Sequence, residues 1–278
     1  MDDRDADNLE TSNQKLTLGA SFILKYLIAL PKLLCFFFIT LVLLPFYLFG
    51  KSVKTFFPEP KLDFFVKRLW SKIALWFCRV QIELAGENYR LGDAYICNHV
   101  SWLDILVLQS ILDMCFVAKS EVKGWFGLGF LARLAETIFI DRRVMEAKKQ
   151  QAALLQALKC KKKICIFPEG TSSDGQSLLP FKSSLFEVFM HFKKNKNEKS
   201  LSIQPATLLY YHQDQEKGSF YGWWGEMSLL SHIVDVVAER KYGKVRVVFH
   251  NVINTAEVSD RKSLCSETEV AVGSAFKP

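Results

Sequence analysis

Glycine and proline are scarce in this chain, 14 and 8 of 278 residues, which excludes a collagenous or proline-rich polymer. Its seven cysteines, at 35, 78, 97, 115, 160, 165 and 265, form no C-x-x-C pair, and most sit in apolar runs such as Ala94-Tyr95-Ile96-Cys97. They read as small buried hydrophobes in a reducing compartment, not as disulfides or a zinc site. The five histidines are isolated and no H-x-x-E pattern occurs, so neither a metal nor another resident cofactor is implied. Neither G-x-G-x-x-G nor G-x-x-x-x-G-K-[ST] is present, which leaves a dinucleotide or P-loop site without local support. The G-x-S-x-G elbow of serine hydrolases is missing too.

Apolar residues, by contrast, are abundant. Half the chain is hydrophobic and 23 residues are phenylalanine, so global disorder is excluded. The length suits one large α/β domain, or a domain with an appendage. A net charge of +7 favours a negatively charged partner: nucleic acid, an anionic bilayer or a phosphorylated substrate. The basic runs Lys159–Lys163 and Lys193–Lys199 lack interleaved aromatics. They read as solvated faces or lipid contacts, and nucleic acid is not expected.

Residues 1–20 read as a disordered acidic tail, with Asp2, Asp3, Asp5, Asp7 and Glu10 at its front. Leu33 to Phe49, LLCFFFITLVLLPFYLF, then runs for 17 residues without a charge. At ~1.5 Å per residue it covers about 25 Å, just short of a ~30 Å hydrocarbon core. Residues 21–50 therefore read as a membrane helix or, with Pro31, Pro45 and the marginal length, as a re-entrant pair. The acidic start and the lack of an A-x-A site argue against a cleaved signal peptide. Basic residues gather beyond it, at Lys51, Lys54, Lys61, Lys67, Arg68 and Lys72, which places the bulk of the chain on the cytoplasmic side. Within the region 51–79, Phe65, Leu69, Ile73, Trp76 and Phe77 share a helical face away from Lys67, Arg68, Lys72 and Arg79. This is either an amphipathic helix on anionic lipid or a helix packed on the domain.

From residue 80 to 278 the pattern is that of an α/β domain, a mixed sheet flanked by helices. VQIELAG, AYICN, CFVAK, TIFID, KICIF, SIQPATLLY and KVRVVFHNVI read as strands. Helical stretches follow Ser101, span Val144 to Lys159, and close the chain over 259–275.

Three segments carry chemistry. In Asn98-His99-Val100-Ser101-Trp102-Leu103-Asp104 a strand ends and a helix begins, so His99 sits where α/β domains place ligands. Asp104 can turn back to the imidazole, fix its tautomer and leave the other nitrogen as a general base. The same Ser101-x-x-Asp104 spacing also reads as a capping box. In Phe167-Pro168-Glu169-Gly170-Thr171 the backbone near Gly170 and Thr171 can present N–H groups to an anion or oxyanion, or simply make a turn. In Phe139-Ile140-Asp141-Arg142 an arginine after a strand can grip a phosphate, or stand as a surface charge.

In this order the segments resemble the glycerolipid acyltransferase family, the bacterial 1-acyl-glycerol-3-phosphate acyltransferases. His99 and Asp104 match its N-H-x-x-x-x-D block, Phe139, Ile140 and Arg142 its second, Phe167 to Thr171 its third, and Ile203-Gln204-Pro205 its fourth. Lys119-Ser120-Glu121 resembles the stretch between the first two. The chain departs at Glu136, where the family has Gly, and at Ser172, where it has Arg. FPEGTSSDG, LPFKSSLF and YGWWGEMSLL look like an alphaproteobacterial subgroup similar both to phosphatidic-acid-forming enzymes and to lyso-ornithine lipid acyltransferases.

The resemblance implies acyl transfer from a thioester, acyl-CoA or acyl carrier protein, to the free hydroxyl of a lyso-lipid at the bacterial inner membrane. The acceptor is 1-acyl-glycerol-3-phosphate, giving phosphatidic acid, or alternatively lyso-ornithine lipid. His99 and Asp104 would be catalytic. Lys119, Arg142, Glu169, Gly170 and Thr171 would bind substrate, with the acyl chain along Gly124–Leu134. A membrane-anchored binding module without catalysis is the reading from a different class, and it requires His99 and Asp104 to be structural.

Overall fold

Strand β2 (Ala94–Cys97) is buried on both faces, as its unbroken apolar sequence requires of a central strand. In the computed structural model, which describes residues 3–56, 62–125, 128–140, 147–194, 199–214, 216 and 218–276, it lies in the middle of a mixed sheet. The other strands are β1 (Val80–Gly86), β3 (Met114–Lys119), β4 (Ile138–Ile140), β5 (Lys163–Ile166), β6 (Ser202–His212), β7 (Gly243–Phe249) and β8 (Ile253–Asn254). The order is β1-β7-β6-β2-β5-β3-β4, with β8 added to β6. β6, β2, β5, β3 and β4 run parallel, and β7 is antiparallel to β6. The mixed sheet read from the sequence is the one observed.

Alternation along β2 divides the core. Tyr95 and Cys97 face one layer, and Ala94 and Ile96 the other. The first layer is covered by α2 (Leu62–Phe77), α3 (Leu103–Ile111) and α7 (Leu229–Ala238), for example through Leu75, Val107 and Val236. The second is covered by α5 (Ala147–Lys159), α6 (Glu187–Lys194) and α8 (Arg261–Ser274), through Leu154, Phe189 and Leu264. Each fully buried Leu, Ile or Phe of this kind contributes roughly 1.5–3 kcal/mol. A short helix, α4 (Leu128–Leu134), connects β3 to β4. All seven cysteines are free, and only Cys35 and Cys160 are exposed.

At the front of the chain the structure bears on three points that the sequence left open. First, α1 runs as one helix from Asp3 to Phe56, with Pro31 and Pro45 inside it. The apolar run therefore lies within a single continuous helix. Second, Ile23–Lys54 is long and apolar enough to cross a membrane, yet it is tied along the domain. Lys25 pairs with Asp235, Lys32 donates to the Val237 carbonyl at 2.6 Å, and the Trp70 indole donates to Thr40 at 2.9 Å. Lys51 reaches Glu136 at 3.2 Å and Lys54 reaches Asp63 at 3.0 Å. Lys25 and Lys54 lie about 43 Å apart along the axis at ~1.5 Å per residue, so the helix follows the domain instead of leaving it. Third, two cations of α2 turn inward, Lys67 to Asp113 at 2.8 Å and Arg68 to the Ser110 carbonyl at 2.9 Å. Its Phe65 and Trp76 stay exposed, 62% and 70%, alongside Phe38 and Val42 of α1.

Candidate active site

The parallel strands β2, β5, β3 and β4 end on the same edge, and the sequence-predicted groups stand there: His99 after β2, Glu169 after β5, and Lys119 at the exposed end of β3. The loops beyond parallel strands are free of ladder hydrogen bonds and so can point backbone and side chains at a ligand. Arg142 lies outside the described residues, as does the 195–198 part of the basic run.

His99 and Asp104 are joined. Nδ1 is 2.7 Å from Asp104 Oδ2, the carboxylate is fully buried and the imidazole is one-fifth exposed. Val100 and Ser101 also donate their N–H groups to Oδ2, at 2.7 and 3.0 Å. An anionic acceptor with those donors fixes Nδ1 as the protonated nitrogen. Nε2 has no hydrogen-bond partner among the described residues. The capping alternative is half realised: Asp104 reaches back to Ser101 N–H, but the Ser101 hydroxyl is buried without a partner and α3 has no side-chain cap.

The third block buttresses the first. Glu169 Oε1 accepts the His99 N–H at 2.7 Å and Oε2 the Leu179 N–H at 3.3 Å. Ser173 N–H donates to the His99 carbonyl at 2.9 Å, so the His99 backbone is held at both ends. Glu169 is only 2% exposed, and burial pushes its carboxyl up to about 8 against the pull of the two backbone donors. Both of its oxygens are thus engaged by backbone N–H groups of the loop, at a residue that the sequence reading assigned to the head group. Gly170 N–H is spent on the Phe167 carbonyl at 3.1 Å, which removes it as an oxyanion donor and leaves the exposed Thr171 beside it. Gly170 sits at φ +70°, a left-handed conformation that favours glycine, with the Lys182 ammonium close beside it.

Glu136, the departure in the second block, sits at φ 60°, the left-handed conformation that suits the glycine found in the family. Here its carboxylate is held by Lys162 and Lys51, and those lysines bring it down to about 2 in spite of partial burial.

Sequence reasoning missed three partners of the site. Phe167 was read only as part of a motif, yet its ring stacks on His99. Lys182, in the LPFKSSLF run, stands over Gly170. Tyr210, at the end of an apolar strand, donates its hydroxyl to Asp104 Oδ1 at 2.8 Å. No local signal marks a tyrosine in β6 as a neighbour of a residue 106 positions earlier.

A family model described as Acyltransferase matches residues 82–208. The chain is 37% identical over 204 residues to the lyso-ornithine lipid O-acyltransferase of Rhodobacter capsulatus, covering 71% of this chain and 73% of that one. It is 30% identical over 194 residues to the 1-acyl-sn-glycerol-3-phosphate acyltransferase of Neisseria meningitidis serogroup B, covering 69% and 72%. The fold matches the crystal structure of the 1-acyl-sn-glycerophosphate (LPA) acyltransferase PlsC from Thermotoga maritima, with a TM-score of 0.59 at 19% identity over 91% of this chain and 96% of that one. With these relatives, the chain belongs to the glycerolipid acyltransferase family.

Proposed function

We propose that this enzyme moves a fatty acyl group from a thioester to the free hydroxyl of a lyso-lipid, with His99 as general base. One observation carries the reading: Nδ1 is committed to the buried Asp104 while Nε2 has no partner among the described residues. An alcohol is a poor nucleophile at pH 7, and its proton passes to Nε2 as the oxygen attacks the thioester carbonyl. Asp104 offsets the positive charge that then grows on the imidazole. The tetrahedral oxyanion lies toward the Thr171 rim. When the C–S bond breaks, His99 returns its proton to the departing thiolate, so the enzyme ends as it began.

Lys119, Arg142 and Lys182 would supply cations for the acceptor head group, and the acyl chain would follow Gly124–Leu134. The motif match favours 1-acyl-glycerol-3-phosphate as acceptor. Lyso-ornithine lipid is the second reading, favoured by the name of the 37%-identical relative and by Ser172 in place of the family's Arg. Purified enzyme offered both acceptors, with acyl-CoA or acyl carrier protein as donor, decides between them. Turnover that survives in folded His99→Ala rejects the general-base assignment and revives the non-catalytic binding module.

The exposed apolar side chains of α1 and α2 support a lipid bilayer as partner, with α1 lying in the interface alongside the domain. The basic residues that follow the apolar run support the cytoplasmic face of a bacterial inner membrane.

A further inference from the structure

We propose that Tyr210 is a positioning residue of the catalytic base, acting through the oxygen of Asp104 that His99 does not use; the inference rests on the general-base reading above. β6 pairs in parallel with β2, with Cys97 opposite Ala206, and continues to His212, so it overhangs the turn in which β2 ends. The amide of Asn98 fixes that overhang. It donates to the Leu208 carbonyl at 3.0 Å and accepts the Leu208 N–H at 2.7 Å. Two residues on, with the period of a strand, Tyr210 donates to Asp104 Oδ1 at 2.8 Å.

The four donors on Asp104 divide unequally. Oδ2 takes His99, Val100 and Ser101, and Oδ1 takes Tyr210. A carboxylate gripped at one oxygen can still rock about its χ2, because that torsion is soft. The phenol removes the freedom and keeps Oδ2 in the imidazole plane through the reaction. It also draws charge from Oδ2, which moderates how tightly the imidazolium proton is held. Burial and the neighbouring carboxylate keep the phenol itself protonated, and so a donor throughout. Its ring packs on Tyr221 with centroids 5.8 Å apart, and substitution by Phe preserves that contact.

The titratable groups around the pair are Cys165 on β5, Glu169 after β5, Cys78 following α2, and Tyr221. All are common to the proteins compared below, so differences between those proteins come from the phenol.

The test is Tyr210→Phe, with Tyr211→Phe, an exposed neighbour, as control. We expect kcat to fall about tenfold, with KM for acceptor and donor within twofold of the parent enzyme. The acidic limb of the kcat/KM profile moves up in pH, because the undiluted Oδ2 charge holds the His99 proton more firmly. Fluorotyrosine at 210, a stronger donor of nearly the same shape, moves that limb down. Should the Phe variant not fold, the fluorotyrosine enzyme carries the test alone. A limb that stays put in the fluorinated enzyme, or a Phe variant whose kcat is intact or whose KM rises in step with the loss, overturns the proposal. His99→Ala is measured beside them. If it keeps activity, the general-base reading falls; if it is inactive and Tyr210→Phe is normal, only the present inference falls.

Discussion

Phe167 lies almost flat on the imidazole of His99, with ring centroids 4.3 Å apart and planes 18° from parallel. Phe116 continues the stack behind it, at 6.4 Å and 8°. The imidazole is therefore confined from its face by Phe167 and from its edge by Asp104. Rotation about the Cβ–Cγ bond is blocked without engaging Nε2.

Phe167→Leu keeps the pocket apolar but removes the flat wall. We expect kcat to fall by roughly tenfold and stability to fall by about 1 kcal/mol, near the cost of an imperfect apolar swap. Steady-state kinetics with thermal unfolding checks this; an unchanged kcat would leave orientation to Asp104 alone.

His99→Ala and Asp104→Ala should each lower turnover by ~10²–10⁴. The two differ in stability. His99→Ala leaves the carboxylate with its other three donors, whereas Asp104→Ala strands Val100 N–H, Ser101 N–H and the Tyr210 hydroxyl in the interior. Each stranded donor costs ~1–3 kcal/mol. A clear drop in melting temperature for Asp104→Ala but not for His99→Ala is the expected pattern in differential scanning calorimetry.

Glu169 gives a pH dependence of stability. Its carboxyl titrates near 8 in the folded protein, above its ordinary value, so the native state holds a proton that the unfolded chain releases. The contribution is fully present below the ordinary carboxylate pKa and is lost as pH rises through about 8. The change is on the order of a few kcal/mol. Glu169→Gln stays neutral, so its stability should vary less between pH 5 and 8; parallel denaturation curves for the two proteins across that range would refute this.

At Glu136 two effects compete. The left-handed backbone costs a non-glycine residue roughly 1 kcal/mol, and each partly exposed ion pair returns about 0–1 kcal/mol. Glu136→Gly should then be close to neutral, while Glu136→Ala keeps the strain, loses Lys51 and Lys162, and melts lower. Equal melting temperatures for the two variants would mean that the conformation is not strained.

Phe38→Asp combined with Trp76→Asp places two charges among the exposed apolar side chains of α1 and α2. A charge in a hydrocarbon environment costs ~2.5–3.5 kcal/mol, so partition onto anionic vesicles should drop at least ~10²-fold while the domain stays folded. Co-sedimentation measures it, and undiminished binding would move the membrane contact elsewhere.

How much was legible beforehand follows the range of the interactions. The strands were readable because an apolar run bounded by Gly, Asn or Lys is a local pattern, and β2, β5 and β6 fall where it put them. The His99–Asp104 pair was readable because five residues of turn and helix suffice to close it. The route of α1 was not. Length and hydropathy say that a helix can enter lipid, while Lys25, Lys32 and Lys51 decide that it lies along the domain, through partners as distant in sequence as Val237. The backbone contacts of Glu169 were not legible either, because its burial depends on the loop that closes over it.

By itself the sequence determined the order of elements, the apolar front and the closeness of His99 and Asp104, since each is set by side chains within a few positions of one another. Only the tertiary structure decided what surrounds that imidazole: the Phe167 wall, the Glu169 prop and the Tyr210 phenol. They converge because strands far apart in the chain pair in parallel and end together, and the register of that pairing is fixed by the packing of both faces of the sheet.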